Sequence, residues 1–117
     1  MAEDDETTDR RDVPERFRFS AVLWRAEAQD AWFFVTLPPD VADGVRRRPR
    51  PPRGFGSVRV EVTVGTSTWR TSVFPDTARG SYLLPVKKAV RAAEDLEEDE
   101  PVEVGLEVLA DGIPLGG

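Results

Sequence analysis

The feature that most constrains the fold is an alternation of apolar and polar residues between Val58 and Val73. Valine occupies every second position from Val58 to Val64, and the residues between these valines are polar. After a turn at residues 65–67 the alternation resumes, with Trp69, Thr71 and Val73 on one side and Thr68, Arg70 and Ser72 on the other. A period of two is typical of a strand with one face in a core and the other in water. The stretch therefore predicts two half-buried strands joined by a short turn.

Further strands and two short helices are predicted on both sides of this pair. The other strands are expected at about residues 16–24, 31–37, 81–84 and 102–109. One helix is expected at about residues 39–47, because prolines stop the preceding strand and suit the first turn of a helix. The second helix is expected to begin near Pro85, with Val86, Ala89, Val90 and Ala93 forming one apolar stripe and Lys87, Lys88 and Arg91 lying off it.

The order β-β-α-β-β-β-α-β favours a barrel, because many short strands with only two small helices leave edges that closure would remove. We predict a mainly β fold over residues 16–110, a single small closed or nearly closed barrel of about six strands with two short capping helices. Residues 1–15 are predicted to be a disordered acidic tail, and residues 111–117 a frayed C-terminal tail. An exposed loop rich in arginine and proline is predicted at residues 46–54.

Cysteine and histidine are both absent from the chain. This removes disulfides, thiolate nucleophiles, zinc sites with the usual ligands and the Ser-His-Asp triad. We find no catalytic motif, and we expect a non-enzymatic protein without a cofactor or metal. The acidic N-terminus is unlike a secretory signal, and no apolar run approaches the ~20 residues that span a bilayer. We therefore expect a cytoplasmic protein without a membrane partner.

The net charge of −6 is unevenly distributed along the chain. Residues 1–15 hold seven acidic side chains against two arginines, and residues 94–100 hold six acidic side chains. Nucleic acid is not expected as a partner, since phosphate affinity rests on a basic face. The basic loop consists of Arg46, Arg47, Arg48, Arg50 and Arg53. It could contact phosphates, dock its prolines on a partner, or simply oppose the acidic tail.

Several sequence blocks resemble a known family. They are GFGSVRVEV, TWRTSVFPD and GSYLLPVKKAVR, with WFFVTLP upstream and VEVGLEV at the end. In this order they resemble the bacterial family called domain of unknown function nineteen-oh-five, over about residues 17–109. The resemblance implies a small double-split β-barrel with short helices closing its ends. Similar barrels occur in antitoxins and transition-state regulators that bind DNA as intertwined dimers. The resemblance implies no activity. The acidic N-terminal extension and the loop of arginines and prolines depart from it.

The candidate ligand-binding residues are Arg70, Ser72, Lys87, Tyr82 and Trp32. Arg70 and Ser72 share a strand face opposite Trp69, and with Lys87 they could surround a carboxylate or phosphate. Free N–H groups at the start of the second helix could add to such a site. Tyr82 and Trp32 would supply a phenol and an aromatic wall. Alternatively, Arg70 is simply exposed to solvent on its strand, and the aromatic residues pack in the core.

Three functions are compatible with these residues. The preferred one is a non-catalytic module, monomeric or homodimeric, that holds a small anionic ligand or a protein segment. The second is a DNA-linked regulator or antitoxin-like swapped-barrel dimer that uses the basic loop. The third is an enzyme with Lys87 or Tyr82 as its acid or base.

Overall fold

The computed structural model describes residues 16–27, 32–47 and 56–109. These residues form seven strands and two short helices. The strands are β1 (Arg16–Val22), β2 (Trp24–Arg25), β3 (Phe33–Thr36), β4 (Val58–Val64), β5 (Ser67–Asp76), β6 (Ser81–Pro85) and β7 (Pro101–Val108). The helices are α1 (Pro39–Arg46) and α2 (Lys88–Ala93). The prediction of a mainly β fold with two short helices is confirmed. The predicted tails lie outside the described residues, as does most of the predicted loop.

All seven strands belong to one antiparallel sheet in the order β1-β7-β4-β5-β6-β3-β2, which curves into an open half-barrel. The predicted closed barrel of about six strands is therefore wrong. The first predicted strand is divided at Leu23, which leaves two strands where one was expected. The backbone of Leu23 donates to Glu100 O, which keeps the register of β1 with β7, but it accepts from Asp99 N, where that register breaks.

β5 changes partner along its length. It pairs with β4 from Ser67 to Val73 and with β6 only from Phe74 to Asp76. The sequence predicts that this strand ends at residues 74–76, but there it joins β6 instead, with Pro75 opposite Tyr82. Because of this change, the part of β5 from Ser67 to Val73 has β4 on one side and, within the described ranges, no strand on the other. We call the space between this edge and residues 85–91 the split groove.

The inner face of the sheet carries the core that the alternation predicts. Val60 and Val62 of β4 are fully buried, as are Val35 of β3 and Leu84 of β6. Helix α1 covers one part of this core with Val41, Ala42 and Val45. The helix approaches β1 so closely that a Cβ on Gly44 would lie 2.5 Å from Cζ of Phe17. Among the described residues, none of the buried side chains is charged.

Helix α2 differs from its prediction. It begins at Lys88, not near Pro85, because Pro85 still belongs to β6 and pairs with Phe34. The N–H of Val86 then donates to Phe33 O at 3.0 Å. Val86 and Val90 are buried as expected, whereas Ala89 and Ala93 of the predicted stripe are exposed. With six residues, α2 is too short to bury a full stripe.

Candidate functional site

The split groove is a cavity of about 450 Å³ between the free edge of β5 and the chain that leaves β6. It is lined by Trp32, Phe33, Trp69, Arg70, Thr71, Pro85, Val86, Lys87, Lys88 and Arg91. Four of these side chains are cationic and three are aromatic, whereas none is acidic. This combination makes the groove the strongest candidate site in the described part of the chain.

Lys87 and Lys88 lie where the chain passes from β6 into α2. Lys87 is extended, with φ −72° and ψ 160°, and Lys88 is the first residue of the helix. Both side chains are exposed. Within residues 16–27, 32–47 and 56–109, neither ammonium group has a carboxylate within 4.0 Å. Their charges are therefore not neutralised by an ion pair there.

Arg91 is held against the aromatic floor of the groove. Its guanidinium carbon lies 3.8 Å from the centroid of the Phe33 ring. Its Nε donates to Val86 O at 3.1 Å. The guanidinium is therefore stabilised by stacking on a ring face and by a hydrogen bond to a backbone carbonyl, and not by a carboxylate. The two terminal amino groups have no hydrogen-bond acceptor among the described residues, so they are free to meet an anion.

Arg70 is on the outer face of β5, as predicted from the inward orientation of Trp69. Its Nε lies 3.8 Å from Oε2 of Glu61, which is directly opposite on β4. The Arg70 side chain is 63% exposed, so this ion pair is solvated and weak. Arg70 can therefore turn toward a second anion at small cost.

Trp32 connects the groove to an aromatic stack on the outer face of β2 and β3. Its ring is nearly parallel to that of Phe34, with centroids 6.1 Å apart, and Phe34 contacts Trp24 at 5.2 Å. Trp24 Nε1 donates to Thr36 Oγ1 at 3.0 Å, which fixes that indole. Trp32 remains 52% exposed. Such an exposed, supported ring is suited to stacking with a flat ligand.

The end of α2 is tied to the β4–β5 turn by Glu94. Its Oε2 accepts from Ser67 Oγ at 2.7 Å, Thr66 Oγ1 at 3.2 Å and Thr66 N at 3.3 Å. The hydrogen bond from Ser67, followed by those from Thr66, lowers the pKa of the Glu94 carboxyl against the opposing effect of desolvation. These contacts hold α2, and with it Lys88 and Arg91, beside β5.

Three of the five predicted ligand-binding residues line the groove, namely Arg70, Lys87 and Trp32. Ser72 does not line it, although it shares the outer face of β5 with Arg70; it lies opposite Arg59 of β4. Tyr82 does not either, because its ring is buried in the core with the guanidinium of Arg46 5.9 Å from its centroid. The predicted helix N-terminus at Pro85 is not present there. Sequence reasoning missed Lys88, Arg91, Phe33 and Trp69 as lining residues.

The basic loop is described only at its start. Arg46 donates to Asp43 Oδ1 at 2.6 Å and to Gly80 O at 2.9 Å. Arg47 is exposed after the end of α1. The predictions for Arg48, Arg50 and Arg53 lie outside the described residues.

A second depression, of about 480 Å³, lies on the outer face of β1, β7 and β4 above Gly105. Arg16 and Arg18 line it together with Glu61 and Glu107. Arg16 already pairs with Glu107 at 3.6 Å. Because charges of both signs face this depression, it lacks the uniform sign of the split groove.

The described residues contain neither a metal-binding cluster nor a membrane-spanning helix. No group of three or more acidic side chains there is close enough to hold a metal ion. Neither of the helices described has the length and apolar character needed to cross a membrane.

The chain matches the model of a known protein family. The family model described as Domain of unknown function (DUF1905) matches residues 19–106. No curated protein matches the chain. The family resemblance expected from the sequence blocks is confirmed.

Proposed function

The chain belongs to the DUF1905 family, a domain of unknown function, and we propose that it is a non-catalytic binding module whose split groove holds an anionic ligand with a flat apolar group. The observation that carries this proposal is that Arg70, Lys87, Lys88 and Arg91 line one cavity with three aromatic side chains and no acid. The module is expected to act in the cytoplasm as a monomer or homodimer.

The charges of the groove support an anion as ligand. Lys87 and Lys88 have no carboxylate within 4.0 Å in the described ranges. Among the same residues, the guanidinium of Arg91 donates a hydrogen bond only through its Nε. A charge-assisted hydrogen bond contributes about 1.5–3 kcal/mol. Two such bonds would therefore give measurable affinity even though the chain as a whole carries a charge of −6.

The aromatic side chains support a flat apolar group on that anion. Trp32 is half exposed and stacks on Phe34, while Phe33 and Trp69 are partly buried at the groove. Small-molecule sites usually combine an apolar lining with a few charged groups that orient the ligand, in cavities of about 300–1,000 Å³. The split groove has both properties.

The double-split barrel implied by the family resemblance is part of this proposal. It is supported by β5, which passes from β4 to β6, and by Leu23, at which the chain passes from β1 to β2. A split of this kind separates two parts of a sheet and leaves a groove between them. The ligand would then bind in a groove that the fold itself creates.

The two residues considered for acid–base catalysis are poorly placed for it. Tyr82 is buried outside the groove, and Lys87 is exposed without a neighbouring carboxylate in the described ranges. The DNA-linked alternative depends on the basic loop, and its first arginine is engaged by Asp43 and Gly80. These placements favour the binding module.

Thermal-shift measurements on the full chain test the proposal, with benzoate, acetate and inorganic phosphate as probes at two salt concentrations. Benzoate should raise Tm by several degrees and acetate by less, because a ligand at ten times its Kd stabilises a protein by about 1.4 kcal/mol. Lys87→Ala should reduce the shift, whereas Arg18→Ala, on β1 and outside the groove, should not. Equal shifts in both variants, or no shift with any probe, would overturn the proposal.

A further inference from the structure

The free edge of β5 indicates a more specific kind of ligand. Among the described residues, β5 pairs from Ser67 to Val73 with β4 alone, and its other edge faces the split groove at Trp69, Arg70 and Thr71. Along such an edge, every second residue directs its N–H and C=O away from the partner strand. An extended peptide can pair with these groups as an added strand. A compact small molecule would use few of them.

The side chains around this edge select for acidic residues in such a peptide. Arg70 is on the edge strand itself, and Lys87, Lys88 and Arg91 line the opposite side of the groove. Glu94, the first residue of the acidic run 94–100, is engaged by Ser67 and Thr66, and Glu98 of the same run lies 3.7 Å from Arg25. Because these two acids of the run are engaged elsewhere, the cations of the groove remain available to a carboxylate from another segment.

This chain contains such a segment. Residues 1–15 hold seven acidic side chains against two arginines, which gives −5 of the total charge of −6. The segment joins the domain at Arg16, which stands in one cross-strand row with Glu107, Glu61 and Arg70. Three interstrand spacings of about 4.8 Å place Arg16 about 14 Å from Arg70 along this row. A chain of fifteen residues spans about 20 Å on average as a random coil, and up to ~50 Å when extended, so its length suffices to reach the groove.

We propose that the split groove binds an extended acidic segment that adds to the free edge of β5, and that residues 1–15 occupy it within the same molecule. This inference rests on the proposed function, because it names the anionic ligand of the same groove. A tethered segment acts at an effective concentration in the millimolar range. It would therefore compete with free anions and lower their apparent affinity for the groove.

The test compares two variants of the full chain that change the net charge equally. The first removes four of the seven carboxylates of the segment with Glu3→Gln, Asp4→Asn, Asp5→Asn and Glu6→Gln. The control neutralises four exposed acids elsewhere with Glu97→Gln, Asp99→Asn, Glu100→Gln and Glu103→Gln. The readouts are the NMR signals of the β5 edge amides and the Trp32 indole without ligand, and the affinity for benzoate.

The first variant should shift the signals of Trp69, Arg70, Thr71 and Trp32 and bind benzoate about threefold or more tightly, while the control changes neither. If benzoate binds with equal affinity to all three proteins and the edge signals stay unchanged, the inference fails and the proposed function stands. If the edge signals shift only in the first variant but benzoate binds to none, the docked segment is supported and the binding of free small anions fails. Signals that depend on protein concentration would show a segment docked on a second copy and would contradict docking within one molecule.

Discussion

The guanidinium carbon of Arg91 lies 3.8 Å from the centroid of the Phe33 ring. This contact joins α2 to β3 and keeps a cation at the floor of the split groove without a carboxylate. Arg46 and Arg79 also approach aromatic rings, at 5.9 Å from Tyr82 and 5.3 Å from Trp24. Both of these arginines, however, form close ion pairs at 2.6 Å. The fold therefore holds the Arg91 side chain in place, while its terminal amino groups remain able to bind an anion.

Arg91→Ala should lower the free energy of unfolding by about 1–2 kcal/mol, because it removes the stack on Phe33 and the hydrogen bond to Val86 O. Urea denaturation measures this loss. Lys88→Ala is the matched control, since Lys88 lines the same groove but is exposed and has no hydrogen bond or ion pair to a described residue. The control should stay within about 0.5 kcal/mol of the parent. Equal losses in the two variants would show that the stack contributes nothing to stability.

Arg70→Ala should weaken benzoate binding without a large change in Tm. The side chain is 63% exposed and its ion pair with Glu61 is 3.8 Å long, and such surface pairs contribute about 0–1 kcal/mol. Arg18→Ala removes another exposed outer-face arginine, on β1, and should leave both quantities unchanged. Calorimetric titration and thermal unfolding of the two variants give the comparison. A marked fall in Tm for Arg70→Ala would assign Arg70 a structural role instead.

Glu94 should contribute to the pH dependence of stability. The hydrogen bond from Ser67, and then those from Thr66, hold its pKa in the folded chain below the ordinary value of 4.5. A carboxyl whose pKa is lower in the folded than in the unfolded state stabilises the fold above the unfolded pKa, and this contribution is lost as the pH falls through the folded pKa. Glu94→Gln should therefore make stability fall less steeply below about pH 4.5.

Urea titrations at several pH values between about 3 and 7 measure these slopes. Asp76 should preserve part of the slope in the variant, because the hydrogen bond from Arg79 also lowers the pKa of that carboxyl. Adding Ser67→Ala to Glu94→Gln should change the slope no further. A variant with the same slope as the parent would mean that Glu94 is not held by the turn in solution.

Gly65→Ala should destabilise the domain more than Gly80→Ala. Both glycines have a positive φ, 60° at Gly65 and 66° at Gly80, where an L-residue costs about 1 kcal/mol. A Cβ on Gly80 would meet no atom within 4 Å, whereas a Cβ on Gly65 would collide with Oε1 of Glu94. The difference between the two variants in urea denaturation therefore measures the displacement of Glu94. Equal losses would contradict the contact between α2 and the turn.

The parts of the fold that follow from short-range pattern were predictable from the sequence. The alternation from Val58 to Val64 placed β4 and its buried face, and Trp69 placed Arg70 on the opposite face of β5. The division of the first strand at Leu23 was not predictable. It depends on hydrogen bonds to Asp99 and Glu100, which are distant in the chain and lie in a charged turn without periodicity.

The candidate site was predictable only in part for the same reason. Arg70, Lys87 and Trp32 were proposed separately from their residue types, but their meeting in one groove depends on how α2 packs beside β5. That packing is fixed by the contacts of Glu94 with Ser67 and of Arg91 with Phe33. Neither contact is indicated by a local pattern in the sequence. Tyr82 shows the opposite error, because this polar aromatic residue was proposed for the site but is buried in the core.

The most direct test of anion binding in the split groove is to follow the indole N–H signals of the three tryptophans while ¹⁵N-labelled full chain is titrated with benzoate. Trp32 and Trp69 line the groove, whereas Trp24 lies outside it with Nε1 bonded to Thr36. We expect the Trp32 and Trp69 signals to move along one binding curve while Trp24 stays in place. Movement of Trp24 alone, or no movement of Trp32 and Trp69 at millimolar benzoate, would contradict the assignment of the groove as the binding site.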